Sequence, residues 1–242
     1  MNTATDRQII LGDTVQMNQI EKNTVKAENQ LAKDQFVTFI HPEGKGKRVL
    51  FVGNSITRHG IKHDIGWHND GGMAASSPEN DYVHIVARNI LQKDSEAAFC
   101  ICQVAEWERN CYDGEKTFAL FEAARDFHAD IIIMRLVENC PRDHYNADLF
   151  QKEYGKLLSY LDGTGHARIV ITTGFWKHIA DGAIREYAQK NGYPLAELND
   201  LGEDESMKAL GLFEHSGVAN HPGDKGMKAI ADRILNAVWE IK

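Results

Sequence analysis

From Arg48 onward the chain alternates between short apolar runs and longer stretches with apolar residues every three or four positions. Val49 to Val52 is wholly apolar, and short apolar runs also lie within 97–104, 129–134 and 167–173. Unbroken apolar runs of this length suit strands covered on both faces. The segment 193–198 makes a shorter fifth strand. Between these runs the spacing changes. Val83, Val86, Ala87, Ile90 and Leu91 predict a helix over 81–91, and Phe118, Leu120, Phe121 and Ala124 predict one over 116–128. Further helices are predicted over 147–160, 182–191 (with Gly192 as its stop) and 224–239. Asp224 is expected to cap the last of these. Strand and helix in alternation predict an α/β fold with a central parallel sheet of about five strands and helices on both faces.

Residues 1–47 differ from the rest and read as an N-terminal extension and linker that packs on a main domain spanning 48–242. Within the extension, 9–17 suits a small strand or hairpin and 18–33 a weakly amphipathic helix; self-association is one role it could serve. Phe36 to Ile40 suits an edge strand, and 41–47 is a turn-rich linker.

Composition narrows the function classes. The 242 residues carry a net charge of −8 with no basic patch, which argues against nucleic acid as a partner. No apolar run approaches the roughly 20 residues that span a bilayer, so no membrane association is expected. No basic, apolar leader is visible, which predicts a cytoplasmic protein provided Met1 is the native start. The four cysteines, Cys100, Cys102, Cys111 and Cys140, form no C-x-x-C pair and read as buried thiols. His59, His63 and His68 with Asp64 and Asp70 form no recognised ligand motif, so the expectation is no metal and no cofactor.

Chemistry collects at the carboxyl ends of the predicted strands, where open α/β sheets bind ligands. Gly53-Asn-Ser-Ile-Thr57 follows the first strand, and on its own would also suit a plain turn capped by Ser55 or Thr57. Ala105 and Glu106 follow the second strand, Glu138 and Asn139 the third, and Trp176 the fourth; His221 precedes the last helix. Arg135, just past the third apolar run, is expected to hold two loops together or to pair with Glu106 or Glu108. A serine, an asparagine and a late histidine at one edge make an acyl-transfer site. No Gly-x-Ser-x-Gly elbow is present, because Thr57 stands where the second glycine would be.

Three blocks in this order carry a family resemblance. Gly53-Asn-Ser-Ile-Thr57 resembles the first block of the SGNH, or GDSL-like, hydrolases. Glu138-Asn139 resembles the third, and His221-Pro222 followed by Gly226-Met-Lys-Ala-Ile-Ala231 resembles the fifth. The loop 65–77 is similar to that of a bacterial subgroup associated with unassigned or carbohydrate-directed esterases. The resemblance implies a flavodoxin-like, three-layer α/β/α fold and ester hydrolysis through an acyl-serine. Ser55 would be the nucleophile and His221 the base. The oxyanion hole would comprise the Ser55 and Ala105 amides with the Asn139 side chain.

The sequence departs from the pattern in three places. Asn54 replaces the first-block Asp, Ala105 stands for the second-block glycine, and Val218 occupies the place of the acid three residues before the histidine. A backbone carbonyl or another carboxylate, with Glu214 as the nearest upstream candidate, is left to orient His221. Trp67, Trp107 and Trp176 offer aromatic faces for a sugar or acyl chain, or else anchor loops to the core. A serine esterase is the leading expectation, its substrate a small-molecule or carbohydrate ester, with an O-acetylated carbohydrate as one candidate. A non-catalytic glycan-binding module and a thioesterase or lysophospholipase remain as alternatives.

Overall fold

The computed structural model describes residues 36–239. The hairpin and helix expected within 1–35 lie outside the described residues. A six-stranded sheet runs through the centre. Its strands are β1 (Val37–Ile40), β2 (Arg48–Gly53), β3 (Ala98–Gln103), β4 (Ile131–Arg135), β5 (Arg168–Thr172) and β6 (Leu195–Ala196), in spatial order β1-β3-β2-β4-β5-β6. The five strands β2 to β6 are parallel, and β1 adds an antiparallel edge on β3 with Val37 opposite Cys102. The segment expected to be linker and extension thus contributes a strand to the main sheet.

The parallel strands have the flavodoxin-like order, in which the first strand lies between the second and third. β2 pairs with β3 on one side and β4 on the other. Connections to these neighbours leave in opposite directions, which opens a crevice above the carboxyl end of β2.

Alternation of side chains explains the unbroken apolar run of β2. Val49 and Phe51 join one core layer, with Phe99, Ile101, Ile133 and Val170. That layer is covered by α1 (Tyr82–Leu91) and the last helix, α7 (Asp224–Trp239), which pack on each other and supply Val83, Val86, Ile230 and Ile234. Leu50 and Val52 face the other layer, with Cys100, Cys102, Ile132 and Met134. Its cover includes α4 (Ala147–Leu161) and α5 (Asp181–Asn191). Three shorter helices, α2 (Ala105–Arg109), α3 (Glu122–Arg125) and α6 (Ser216–Ala219), complete the set among the described residues. None of the helices is long and apolar enough to cross a membrane. All four cysteines are buried and uncrosslinked.

Two local expectations are corrected. The helix predicted over 116–128 is a 3-10 segment, Gly114–Phe121, followed by the single turn of α3. Gly114 is pressed against the Trp107 indole, and the Thr117 hydroxyl donates to the Gly114 carbonyl at 2.7 Å, in competition with an α-helical ladder. Asp224 lies in the first turn of α7 instead of capping it, and its carboxylate accepts from the Ser76 amide (2.8 Å) and hydroxyl (2.7 Å). It therefore ties the 65–77 loop to the helix. Gly192 does end α5, at a φ of 67° that glycine adopts without strain.

Leu50 has no solvent exposure in the central strand. Leu50→Ala is expected to cost about 2–5 kcal/mol, read as a lower urea midpoint at unchanged slope. A loss below about 1 kcal/mol would contradict the packing of that layer.

Candidate active site

The turn after β2 is built by local constraints. A Cβ on Gly53 would stand 1.9 Å from Thr57 Oγ1 and 2.5 Å from the Arg135 carbonyl, so only glycine allows this approach. The Thr57 and Arg58 amides both donate to the Asn54 carbonyl at 2.9 Å, and the Ile56 amide donates to Asn54 Oδ1 at 3.2 Å. The Thr57 and Tyr82 hydroxyls share a 2.8 Å bond that anchors the turn to α1. The Met73 amide donates to the Ser55 carbonyl. Ser55 is thereby held at the rim of the crevice, while the Ser55 N–H has no acceptor among the described residues.

His221 approaches from the loop before α7. Its Nε2 lies 2.8 Å from Ser55 Oγ, and its Nδ1 lies 2.6 Å from the Gly217 carbonyl. A carbonyl only accepts, so Nδ1 carries the proton and Nε2 presents its lone pair to the serine hydroxyl. The Trp176 ring stands edge-on to the imidazole, with centroids 5.1 Å apart. Burial lowers the His221 pKa to about 4; the Gly217 bond opposes this and nearby His59 adds to it. The imidazole is therefore neutral near pH 7, as a proton acceptor must be.

Ser55 and His221 open into a cavity of about 640 Å³, within the range of small-molecule sites. Gln103, Ala105 and Asn139 also line it. Its lining mixes apolar side chains (Phe36, Ile61, Ile65 and Met73) with polar and charged ones, among them His59, Lys62, Glu106 and Arg109.

The structure brings together Ser55, Ala105, Asn139 and His221. The Ala105 amide already donates to Gln103 Oε1 at 3.1 Å, a long bond that an oxyanion would have to share. Gly217, not Glu214, supplies the acceptor for His221 Nδ1, and Glu214 lies exposed ahead of α6. Trp67 and Trp107 are absent from the lining of this cavity, so of the two readings offered for them the loop-anchoring one fits their positions. Trp67 is 1% exposed and packs near Phe213; Trp107 is fully buried between Phe150 and Tyr154. Both rings anchor loops to the core. Trp176 supports His221 and is likewise absent from the cavity lining.

Of the residues weighed as metal ligands, Asp70 is held by Arg58 and Asp64 by Lys62, while His63 and His68 bond each other at 2.8 Å. Among the described residues no group of three or more His, Cys, Asp or Glu side chains is placed to hold a metal ion.

Sequence reasoning missed the layer beneath the serine. Arg135, Glu138 and Glu108 are buried there around Asn54. Arg135 Nη2 donates to Glu138 Oε2 (2.6 Å) and Asn54 Oδ1 (2.9 Å). Through Asn54 it joins two loops, the first of the two roles expected of it, and the carboxylate it pairs with is Glu138 instead of Glu106 or Glu108. A charged residue at the end of a wholly apolar run was the available signal, because such a charge must find a partner.

No family model matches the chain, and no curated protein matches it. Solved structures do. The psychrotrophic esterase EstA from Pseudoalteromonas sp., in a structure inhibited by monoethylphosphonate, superposes with a TM-score of 0.52 at 11% identity, over 80% of this chain and 97% of that one. A two-domain esterase active on acetylated mannans, co-crystallised with mannopentaose, gives 0.51 at 14% identity, over 82% of this chain and 51% of that one. A tail fibre protein from an E. coli phage gives 0.50 at 12% identity, over 78% of this chain and 26% of that one. The chain shares the α/β fold of these structures, two of which are esterases. At these identities the likeness is one of fold, and the chain spans about half the length of the mannan-active esterase.

The His221 environment makes a pH prediction. Its folded pKa is depressed, so between about 6.5 and 4 the unfolded chain binds a proton that the folded chain does not. The contribution to stability is therefore lost as pH falls through that window. NMR titration, with the resonance assigned through His221→Gln, should give a midpoint near 4. A midpoint at or above 6.5 would overturn the assigned environment.

Proposed function

We propose that the chain is an SGNH-type serine esterase that cleaves short acyl esters, with O-acetylated carbohydrate as the substrate class. The observation that carries this reading is the 2.8 Å contact between Ser55 Oγ and His221 Nε2, in the lining of a ligand-sized cavity over the sheet's switch point.

In this mechanism Ser55 Oγ attacks the ester carbonyl while His221 Nε2 takes its proton. The carbonyl oxygen becomes an oxyanion, stabilised by the Ser55 N–H, the Asn139 side-chain amide and the Ala105 N–H shared with Gln103. The intermediate collapses, and the alcohol leaves with the proton from the imidazolium. Water then enters, His221 removes its proton, and attack on the acyl-serine releases the acid and restores Ser55. The Gly217 carbonyl holds the tautomer, the task a carboxylate performs in a triad. That support weakens the case for a binding module without catalysis, which rested on the missing acid. As a neutral dipole the carbonyl stabilises imidazolium less than a carboxylate does.

The substrate class is supported by the polar part of the lining, which offers hydrogen-bonding groups to sugar hydroxyls, and by the mannan-active esterase of the same fold. The apolar residues of the lining, Met73 among them, would suit a thioesterase or lysophospholipase, and acyl-chain length separates the two readings.

A fluorophosphonate probe is expected to label Ser55 in the intact protein and to fail on Ser55→Ala. p-Nitrophenyl acetate turnover should fall about 1,000-fold or more in Ser55→Ala and about 100- to 1,000-fold in Asn139→Ala. Unchanged turnover in Ser55→Ala would refute the mechanism. Across p-nitrophenyl esters, kcat/KM should be highest for acetyl, and acetylated oligosaccharide should release acetate. Activity that climbs steadily with acyl length would instead assign the site to long-chain substrates.

A further inference from the structure

Glu108, on α2, is fully buried and is absent from the cavity lining, so it is not placed to touch substrate. Three donors converge on its carboxylate. Asn54 Nδ2 (2.8 Å) and the Val137 N–H (2.5 Å) reach Oε1, and Asn139 Nδ2 (2.5 Å) reaches Oε2. An ionised carboxylate only accepts, so it selects the nitrogen end of the Asn139 amide. One amide hydrogen is bound to Glu108, which leaves the other to the cavity that Asn139 and Ser55 both line. The backbone here also needs support. Val137 has a φ of 152°, sparsely populated for a β-branched residue, and its N–H is held by Glu108.

We propose that Glu108 is a positioning residue: its buried carboxylate fixes the Asn139 amide so that the second N–H faces the oxyanion formed on Ser55. The inference rests on the esterase reading above. Protonated Glu108 would present an O–H where Asn139 now donates. The amide would then turn its oxygen inward, away from the arrangement that stabilises negative charge.

The charged and titratable groups around Glu108 set when that happens. Glu138 lies across the shared Asn54 amide, which donates to both carboxylates. Arg135 from β4 pairs with Glu138, and the thiols of Cys111 and Cys140 lie close enough to feel the Glu108 charge. On α2 itself, Glu106 and Arg109 pair at the surface. Burial and then the Glu138 charge push Glu108 up to about 7, against its three donors. For Glu138 burial is outweighed by the Arg135 charge and by bonds from the Phe175 N–H and Asn54, which hold it below the usual range. The titrating member is thus Glu108, and turnover should rise as pH increases through about 7.

The test is a double-mutant cycle on p-nitrophenyl acetate hydrolysis between pH 5 and 9, with Glu108→Gln, Asn139→Ala and the double variant. Glutamine leaves one acceptor for three donors, so Glu108→Gln should reproduce most of the kcat loss of Asn139→Ala with little change in KM. The double variant should be no slower than Asn139→Ala, within a factor of about two. The limb near pH 7 should vanish in Asn139→Ala, where Glu108 has no amide left to orient. Multiplicative losses in the double variant, or a limb that persists in Asn139→Ala, would overturn the proposal. If circular dichroism shows Glu108→Gln unfolded, the wild-type and Asn139→Ala pH profiles decide alone. Wild-type protein without turnover or Ser55 labelling defeats the esterase reading and this proposal with it, whereas an active enzyme with multiplicative losses defeats only the role of Glu108.

Discussion

The architecture of the site depends on one buried side-chain amide. Asn54 Nδ2 donates to Glu108 at 2.8 Å and to Glu138 at 2.6 Å, while its oxygen accepts from Arg135. Those four residues come from the turn after β2, from α2, from β4 and from the loop that follows β4. The Phe175 N–H adds the loop after β5 through Glu138 Oε1. Loops from four parallel strands are therefore fastened at one point below the serine. In a low-dielectric interior, removing one member of a buried charged pair costs about 3–5 kcal/mol, because the other is left unpaired. Such a cluster tolerates little displacement, which suits a layer that holds Ser55 and its neighbours in fixed relative positions.

The same cluster explains the asparagine at position 54. Its neighbours already include two carboxylates against one guanidinium. An aspartate would bring a third negative charge and remove both amide donors. The carboxylates around position 54 are thus supplied by Glu108 and Glu138, and the three residues form one electrostatic unit. A comparable exchange occurs at His221, where a Gly217 carbonyl provides the acceptor and Val218 is buried with no solvent exposure. In both places a neutral group stands where the motif it resembles carries a charge, and a hydrogen-bond partner is supplied from elsewhere.

Legibility from sequence follows the range of the interactions. The parallel strands, α1, α4, α5 and α7 were predictable because side-chain periodicity is local and burial on both faces leaves unbroken apolar runs. The segment 114–121 was not, because its winding depends on contact with Trp107, a residue its own spacing does not reveal. Trp67 and Trp107 were offered as aromatic faces for substrate, yet their predicted places near strand ends did not disclose that the rings turn inward. Ser55, Asn139 and His221 could be singled out because their chemistry belongs to the side chains. Gly217 acts through a carbonyl that every residue possesses, so no sequence pattern could mark it.

By itself the sequence determined an α/β chain with a central parallel sheet, and it placed a serine, an asparagine and a histidine at the ends of its elements. Periodicity and residue type carry that information because both are properties of neighbours along the chain. Tertiary structure alone decided that Ser55 and His221, 166 positions apart, meet at 2.8 Å, and that a backbone carbonyl orients the histidine. It also decided that Glu108 lies under Asn139, 31 positions away. These contacts are made where separate loops converge over the switch point, and burial there determines which charges persist and which donors remain free.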